Sequence, residues 1–330
     1  MKTFFVGIDI SKDWLDVCIL DASQMQQIDA FRVDNTITGI EDLIGRCGQA
    51  TPQTELWCCF EHTGHYGLLL AELLELHAIV YSAVAALEIK QSIGMIRGKD
   101  DRTDAARIAH YAAVNHFKLK ATKLPQQELL TIKSMLTYRA QLIGISRQLQ
   151  NSRKSHALAA RTSKQKELLE DMDKRIEDIK EDIKSLEKQI QDLIKQHQAL
   201  AKTFNKIITV KGVGLLIAAT MIVCTENFKA FDNPRKFNCY AGLAPFAHSS
   251  GSSIHGKTKT SNLRNKTIKT LLFNGANVAA NFDYDMKSYY KRKKTQGKHH
   301  MSIINAVACK MVYRMFAVVK REEPYVNFMR

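Results

Sequence analysis

The sequence predicts a mixed α/β domain, then long helices, then a mostly helical and basic C-terminal domain. Residues 3–35 alternate apolar runs with short polar connections, as the strands of a meander do. Residues 126–200 contain no proline and a single glycine, Gly144, which favours long helices. Residues 233–330 hold 18 basic and 4 acidic side chains, so the last domain should attract polyanions.

The N-terminal elements follow one another in the order of a ribonuclease H-like domain. We predict strands over residues 4–10, 14–20 and 27–33, a helix over 39–44, a strand over 56–60, a helix over 66–76, a strand over 78–81 and a helix over 101–115. Three successive strands and then helices alternating with strands are typical of that α/β fold.

A heptad seam marks the second half of the long helical region. Apolar residues step by three and four without a break at Leu169, Met172, Ile176, Ile179, Ile183, Leu186, Ile190 and Leu193. This spacing predicts a coiled coil. The first half carries basic residues that would either contact phosphates or form a solvated charged face: Arg139, Arg147, Arg153, Lys154 and Arg161.

Two glycines precede the apolar helical run 215–223. The stretch Lys211-Gly212-Val-Gly214 resembles a helix-hairpin-helix turn, whose backbone amides contact phosphate without reading sequence, although ordinary helix–helix turns contain glycine too. Farther along we predict a polar serine loop over 249–253, a basic helix whose first residues are the segment 257–269, and a core helix over 301–319. The nucleic-acid contacts expected here are Lys211, Gly212, Gly214, Lys257, Lys259, Arg264, Lys266, Lys291 and Arg292, the last two beside Tyr289 and Tyr290.

Charge is distributed unevenly along the chain. Residues 1–100 hold 7 basic and 14 acidic side chains, a net of −7, and residues 101–330 have a net of +22. Together with the predicted elements, this charge distribution indicates an acidic domain over 1–120, coiled-coil helices over 121–203 and a cationic domain over 204–330. A cationic surface of this size favours nucleic acid, whereas the plainer alternative is a basic protein without such a partner.

Cysteine usage and hydropathy predict a cytoplasmic protein with reduced thiols. The seven cysteines are an odd number without a Cys-x-x-Cys pair, which argues against zinc and disulfides. No apolar stretch approaches the length of a membrane span, and we expect no membrane partner.

Four carboxylates stand where a metal site would need them. Asp9 ends the apolar run 3–9 in the first strand, Glu61 directly follows the strand over 56–60, and Asp101 and Asp104 share one face of a helix. Taken singly, each has an ordinary explanation, as a solvated strand end or a partner of the helix dipole. Taken together, hard oxygen donors suit Mg²⁺ or Mn²⁺, and two such ions about 4 Å apart serve phosphoryl transfer.

The serine loop offers a second chemical group. Ser250 precedes Gly251 and lies near Lys257 and Arg264 in the sequence, so an exposed hydroxyl could meet a phosphate in a cationic setting. Serine-glycine stretches are also common linkers, and spacing alone favours that simpler interpretation.

A set of motifs resembles the DEDD transposases of bacterial insertion sequences, which include the pilin-gene inverting recombinase and the bridge-RNA-guided recombinases. The resemblance runs from about residue 4 to residue 319. Its motifs are Gly7-Ile-Asp9-Ile-Ser-Lys, Phe60-Glu61-His-Thr-Gly64, Lys99-Asp-Asp101-Arg-Thr-Asp104-Ala, Gly212-Val-Gly214, Ala241-Gly-Leu-Ala-Pro245 and Ser250-Gly-Ser-Ser253.

The resemblance implies a RuvC-like N-terminal domain that binds Mg²⁺ or Mn²⁺ through Asp9, Glu61, Asp101 and Asp104, with Asp100 as an extra neighbour. It implies a coiled coil leading to a C-terminal transposase domain whose nucleophile is Ser250, with Ser249 as an adjacent rival. Donor and target double-stranded DNA, a structured non-coding guide RNA and further copies of the chain, as a dimer or tetramer, are the implied partners.

Three other functions share some of these features. A metal-dependent hydrolytic nuclease of the Holliday-junction type would use the carboxylates without a serine. An actin-like sugar kinase also opens with a Gly-x-Asp strand, but the sequence offers no glycine-rich adenosine loop. A non-catalytic nucleic-acid scaffold would explain the charge but not the carboxylates.

Overall fold

The computed structural model describes residues 4–50, 55–62, 64–93, 101–250, 254–260 and 263–326, without the side chains of 101–102 and 247–259. The chain divides into two units, Met1–Leu124 and Pro125–Arg330. The predicted three-part division at residues 120 and 203 stays a prediction.

A five-stranded mixed sheet forms the centre of the first unit. Its strands are β1 (Phe4–Ile10), β2 (Trp14–Asp21), β3 (Gln26–Asp34), β4 (Leu56–Glu61) and β5 (Tyr81–Val84), and its helices are α1 (Ile37–Ala50), α2 (Leu68–Leu76), α3 (Ala86–Ile93) and α4 (Asp101–Val114). The strand order is β3-β2-β1-β4-β5, with β1, β2 and β3 antiparallel and β4 and β5 parallel to β1. The predicted elements occur in the predicted order, and α3 is an additional helix that was not predicted.

Both faces of the sheet are covered, because the side chains of each strand alternate between them. On one face Val6 and Ile8 join a core with α1 and α2. On the other face Phe5 and Cys59 join a core with α4. The central strand β1 is therefore buried on both sides, which explains its nearly continuous apolar sequence.

The last strand of this sheet begins three residues later than predicted. Ala78 has a left-handed backbone (φ 55°), and the amide of Ile79 donates to the carbonyl of Leu74. This hydrogen bond terminates helix α2. The apolar residues that follow Ala78 thus complete the helix terminus before β5 starts at Tyr81.

Two long helices open the second unit as an antiparallel hairpin, α5 (Gln127–Ala159) and α6 (Ser163–Gln196). Thr162 starts α6 with a capping box, accepting from the amide of Gln165 while the Gln165 side chain accepts from the Thr162 amide. Ion pairs join the helices at Arg139–Glu187 (2.6 Å) and Arg153–Asp173 (2.7 Å). The predicted seam faces the packed side, with Ile176, Leu186 and Ile190 buried.

The remaining elements are α7 (Gln198–Ile207), α8 (Leu215–Cys224), α9 (Pro234–Tyr240), β6 (Pro245–Ser250), β7 (Ile254–Thr260), α10 (Lys266–Phe282), α11 (Tyr284–Thr295) and α12 (His300–Arg321). Within the described part of the chain, α12 alone is long and apolar enough to cross a membrane. Its residues Ile303, Val307, Met311 and Met315 are at most 2% exposed in the core of this unit. It is therefore the core helix that the sequence predicts.

Two predictions about residues 249–269 are wrong. Ser249 and Ser250 end strand β6 rather than lying in a loop, and Lys257 and Lys259 belong to β7 rather than to a helix. The helix starts only at Lys266, where Asn265 caps it by accepting from the amide of Ile268. The two strands form an antiparallel ribbon, and their polar composition hides the strand pattern because neither face supplies a run of apolar residues.

All seven cysteines belong to the described residues, and none of them forms a disulfide. Cys18, Cys47, Cys58 and Cys59 are buried, whereas Cys239 is exposed.

Candidate functional site

Two of the four predicted carboxylates lie side by side in the sheet. The parallel ladder between β1 and β4 pairs Ile8 with Phe60, so the next residues, Asp9 and Glu61, stand at the same end of neighbouring strands. Such strands lie about 4.8 Å apart. Both residues are half-buried. The sheet therefore presents a pair of adjacent carboxylates at one end of the neighbouring strands β1 and β4, on the face that α4 covers.

Helix α4 is aligned toward this pair by its contacts with β1. The ring of Phe5 lies 6.3 Å from the ring of His116, which follows α4. A β-carbon on Gly7 would overlap the backbone of Ala109, nearer the start of the helix. A later residue of β1 thus contacts an earlier residue of the helix, so the helix runs antiparallel to the strand. Asp9 shares the face of β1 that carries Phe5 and Gly7. The first turn of α4, which carries two predicted ligands, therefore lies toward the Asp9 end.

The described side chains do not complete the four-carboxylate set. Asp104 accepts a hydrogen bond from the guanidinium of Arg107 within α4. The side chain of Asp101 lies outside the described residues, as does Asp100 altogether. Among the described side chains, no group of three or more histidines, cysteines or acidic residues could hold a metal.

Sequence reasoning missed two charged neighbours of Asp9. The β1–β2 ladder pairs Asp9 with Asp16, and the β2–β3 ladder pairs Asp16 with Arg32. Asp16 is 1% exposed, and its two oxygens accept from Arg32 Nε (3.0 Å) and Nη2 (2.7 Å). The signal was an aspartate inside the apolar strand Leu15–Val17, since a buried charge needs a partner.

The predicted phosphate contacts on the helical hairpin fall into two classes. Arg139 and Arg153 are ion-paired across α5 and α6, so each already has a carboxylate partner. Arg147 and Lys154 are exposed. The exposed pair is therefore better placed for a phosphate.

The glycine turn between α7 and α8 is partly structural. Gly212 has φ 89°, and a β-carbon there would overlap the carbonyl oxygen of Gly275 in α10. Gly214 is exposed immediately before α8, and a β-carbon there would meet nothing within 4 Å. Lys211 is exposed as well. The amides at the start of α8 thus remain the candidate phosphate contact.

The β6–β7 ribbon carries Ser250 at its tip, where the backbone pairs Ser250 with Ile254. The side chains of Ser250, Lys257 and Lys259 lie outside the described residues. At the base of the ribbon, Lys269 Nζ donates to the Gly242 carbonyl (2.7 Å) and to Thr260 Oγ1 (3.2 Å).

Further cations stand near Lys269. Burial, and then the charge of Arg264, lowers the pKa of Lys269. Lys266, at the start of α10, is exposed. Lys269 and Arg264 therefore place two cationic side chains close together at the foot of the ribbon.

A tyrosine in α11 is surrounded by cations. The ring centre of Tyr289 lies 4.8 Å from Lys310, 5.6 Å from Arg292 and 6.0 Å from Lys293. Lys291 is exposed on the same helix. This arrangement has the aromatic and cationic groups that the sequence predicts for nucleic-acid contact.

Comparison with known proteins gives matches in both units. Residues 6–158 match a DEDD-type family model described as transposase, and residues 205–291 match the model of the transposase IS116/IS110/IS902 family. Together they cover more than two thirds of the chain. The chain belongs to this transposase family.

Two relatives of the transposase match it from end to end. The pilin gene-inverting protein of Moraxella lacunata is 26% identical over 331 residues, and that of Moraxella bovis is 26% identical over 332 residues. Each match covers 98% of both chains. The transposase is accordingly an enzyme of DNA transposition and recombination.

Shorter or more distant likenesses also occur. An insertion element IS110 protein of Streptomyces coelicolor is 31% identical over 114 residues, covering 34% of the transposase and 28% of that protein. RuvC of T. thermophilus in complex with Holliday junction substrate is 12% identical with a TM-score of 0.28, covering 37% of the transposase and 99% of RuvC. The fold of the first unit is established by its own strand order and not by this likeness.

Proposed function

We propose that this transposase cuts and rejoins DNA strands through Ser250, assisted by a divalent metal bound to Asp9, Glu61, Asp101 and Asp104. The observation that carries the metal site is the strand register, which sets Asp9 beside Glu61 at the end toward which α4 begins. Two adjacent, half-buried carboxylates repel each other, and a cation between them relieves that repulsion.

The donor set fits Mg²⁺ or Mn²⁺, because carboxylate oxygens are the ligands that these hard cations prefer. When bound, the metal would stabilise negative charge on the transferring phosphate. Asp9 and Glu61 would hold it from the sheet, and Asp101 and Asp104 from the first turn of α4. Asp104 would have to exchange its contact with Arg107 for the metal.

The chain itself would carry out strand transfer in two successive phosphoryl-transfer steps. Ser250 Oγ attacks a DNA phosphorus and loses its proton, while the bond to the departing DNA oxygen breaks and that strand leaves as a hydroxyl. A hydroxyl of the partner strand then attacks the phosphoserine, and Ser250 leaves with its proton restored. No phosphodiester is lost, so the reaction needs no high-energy cofactor.

Cationic groups of the second unit would hold the DNA backbone. The candidates are Arg147, Lys154, Lys211, Arg264, Lys266, Lys291 and Arg292 together with Lys257 and Lys259 of β7. In a helix-hairpin-helix role, the amides before α8 would contact phosphate without reading bases. Arg139 and Arg153 would contribute only if DNA displaced their carboxylate partners.

A structured guide RNA would choose the donor and target sequences. A protein that grips mainly backbone and shape leaves sequence discrimination to base pairing. The α5–α6 seam would extend into a coiled coil with a second copy, giving a dimer or tetramer. We place the reaction in the bacterial cytoplasm, at the nucleoid.

One experiment tests the nucleophile. The full chain is purified with its co-expressed flanking transcript and incubated with labelled DNA and Mg²⁺, and covalent protein–DNA adducts are resolved on denaturing gels. We expect an adduct that Ser250→Ala abolishes and Ser249→Ala retains. Ser249 is the matched control, because consecutive positions of one strand belong to opposite faces.

Other outcomes separate the alternatives. If Ser250→Ala cleaves DNA as well as the wild-type protein, the hydrolytic nuclease is correct and the serine mechanism is excluded. If Asp9→Asn and Glu61→Gln retain metal binding by calorimetry, the carboxylate site is excluded. Asp42→Asn, an exposed carboxylate of α1 paired with Arg46, serves as the control.

A further inference from the structure

Four ionisable residues form a row across the sheet of the first unit. Arg32 of β3 pairs with Asp16 of β2, Asp16 pairs with Asp9 of β1, and Glu61 of β4 stands beside Asp9. Residues that are directly opposite in a sheet share a face, with β-carbons about 5 Å apart. Three carboxylates and one guanidinium therefore lie in one line, and the proposed metal site uses only the last two carboxylates.

The third carboxylate, Asp16, is held by Arg32. Asp16 is almost completely buried, and both of its oxygens accept hydrogen bonds from the guanidinium at 3.0 and 2.7 Å. The guanidinium also makes a cation–π contact with Trp14, whose ring centre lies 4.9 Å away. A buried carboxylate of this kind is costly unless it is paired, so the contact with Arg32 is strongly favoured over release.

We propose that Arg32 determines the metal preference of the transposase by withholding Asp16 from the ion. This inference rests on the proposed metal site at Asp9 and Glu61. With Arg32 in place, the proposed site has four carboxylates, two from the sheet and two from α4, and Mg²⁺ fills its remaining positions with water. Without the guanidinium, Asp16 becomes a third donor from the sheet, beside Asp9. The added carboxylate favours Ca²⁺, which takes about six to eight oxygen ligands.

The test is calorimetric titration of the full chain with CaCl₂ and with MgCl₂. For Arg32→Gln we expect the ratio of Ca²⁺ to Mg²⁺ affinity to rise about tenfold, since ligand charge tunes affinity over such ranges. The double variant Asp16→Asn/Arg32→Gln should return the ratio to the wild-type value.

Arg46→Gln is the matched control. Arg46 is also ion-paired, with Asp42 at 3.0 Å, and also lies 4.9 Å from an aromatic ring, that of Phe31. It does not belong to the row, so its loss should leave the ratio unchanged.

Asp16→Asn alone gives an independent result that holds even where Arg32→Gln does not fold. A withheld carboxylate is not a ligand, so both affinities should stay within about twofold of the wild type. A large loss of binding in Asp16→Asn, or an unchanged ratio in folded Arg32→Gln, would overturn the inference while wild-type binding persists. A wild-type chain that binds neither cation, or Asp9→Asn that binds both, would instead overturn the metal site itself.

Discussion

Gly212 and Gly275 contact each other so closely that a β-carbon on either one would overlap the carbonyl oxygen of the other. The turn before α8 therefore packs directly against the middle of α10, and the Met311 side chain of α12 lies against both glycines. The core of the second unit depends on this contact, because no larger residue fits at either position.

We predict that Gly275→Ala destabilises the second unit by about 2–4 kcal/mol, since the added methyl meets backbone that cannot move aside. Gly212→Ala should cost at least as much, because Gly212 also has a positive φ. Urea unfolding followed by circular dichroism measures both. Gly214→Ala, which adds its methyl to open space, should change stability by less than about 0.5 kcal/mol. Equal effects at Gly214 and Gly275 would contradict the packing argument.

Alkaline pH should destabilise the first unit through its buried thiols. Burial, and then the charge of Glu88, raises the pKa of Cys59 from 9.0 to about 12. Burial likewise raises the pKa of Cys47 to about 12. The folded state holds these protons more tightly than the unfolded state, so this stability is complete below pH 9 and declines as the pH rises toward 12.

The measurement is the unfolding free energy at several pH values between 8 and 11. Because one thiol contributes a slope of about 1.4 kcal/mol per pH unit, Cys59→Ala should reduce the alkaline decline by about that amount. Cys239→Ala removes an exposed thiol and should leave the slope as it is. A slope independent of Cys59 would refute the assignment.

Asp283 should be among the most sensitive positions of the second unit. It is fully buried, caps α11 by accepting from the Met286 amide, and accepts from Arg314 Nη1 at 2.8 Å. We expect Asp283→Ala to cost about 3–5 kcal/mol, because it removes the cap and strips a partly buried arginine of its main partner.

Asp285 provides the comparison, since it pairs with the same arginine but is mostly exposed. Asp285→Ala should cost less than about 1 kcal/mol by thermal or urea unfolding. A similar loss at the two aspartates would show that burial does not set the difference.

The exposed cations of α5 should govern nucleic-acid binding more than the paired ones. Arg147→Gln and Lys154→Gln should each weaken binding of a labelled duplex and lower the salt dependence of log K by about 0.9. Arg139→Gln should leave that slope intact and lower stability instead, because its guanidinium is bonded to Glu187. Fluorescence anisotropy at several salt concentrations checks both expectations. An unchanged slope in Arg147→Gln and Lys154→Gln would remove them from the interface.

Strong local patterns made most of the fold predictable. The apolar strand at Phe4–Ile10 and the seam of α6 repeat the periods of their elements, and both lie where expected. The β6–β7 ribbon was not predictable, because it is polar and its strand pairing is not local. The start of β5 was missed because Ala78 takes a left-handed conformation that hydropathy does not encode.

The site was predictable in part. Asp9 and Glu61 could be named because each lies near the end of an apolar strand, and the structure places them at the same end of neighbouring strands. The pairing of Asp16 with Arg32 depends on the lateral order of three strands, which sequence periodicity does not reveal. For the same reason, the carboxylate partners of Arg139 and Arg153 appear only when α5 and α6 are folded against each other.

The position of α12 affects how the protein is made. Its buried residues complete a core that also includes residues of α7, α8 and α10. During synthesis those earlier helices leave the ribosome with uncovered apolar faces until His300–Arg321 emerges. A frameshifted copy of the gene that ends before this helix would therefore yield a chain prone to aggregation and degradation, not a partially active enzyme.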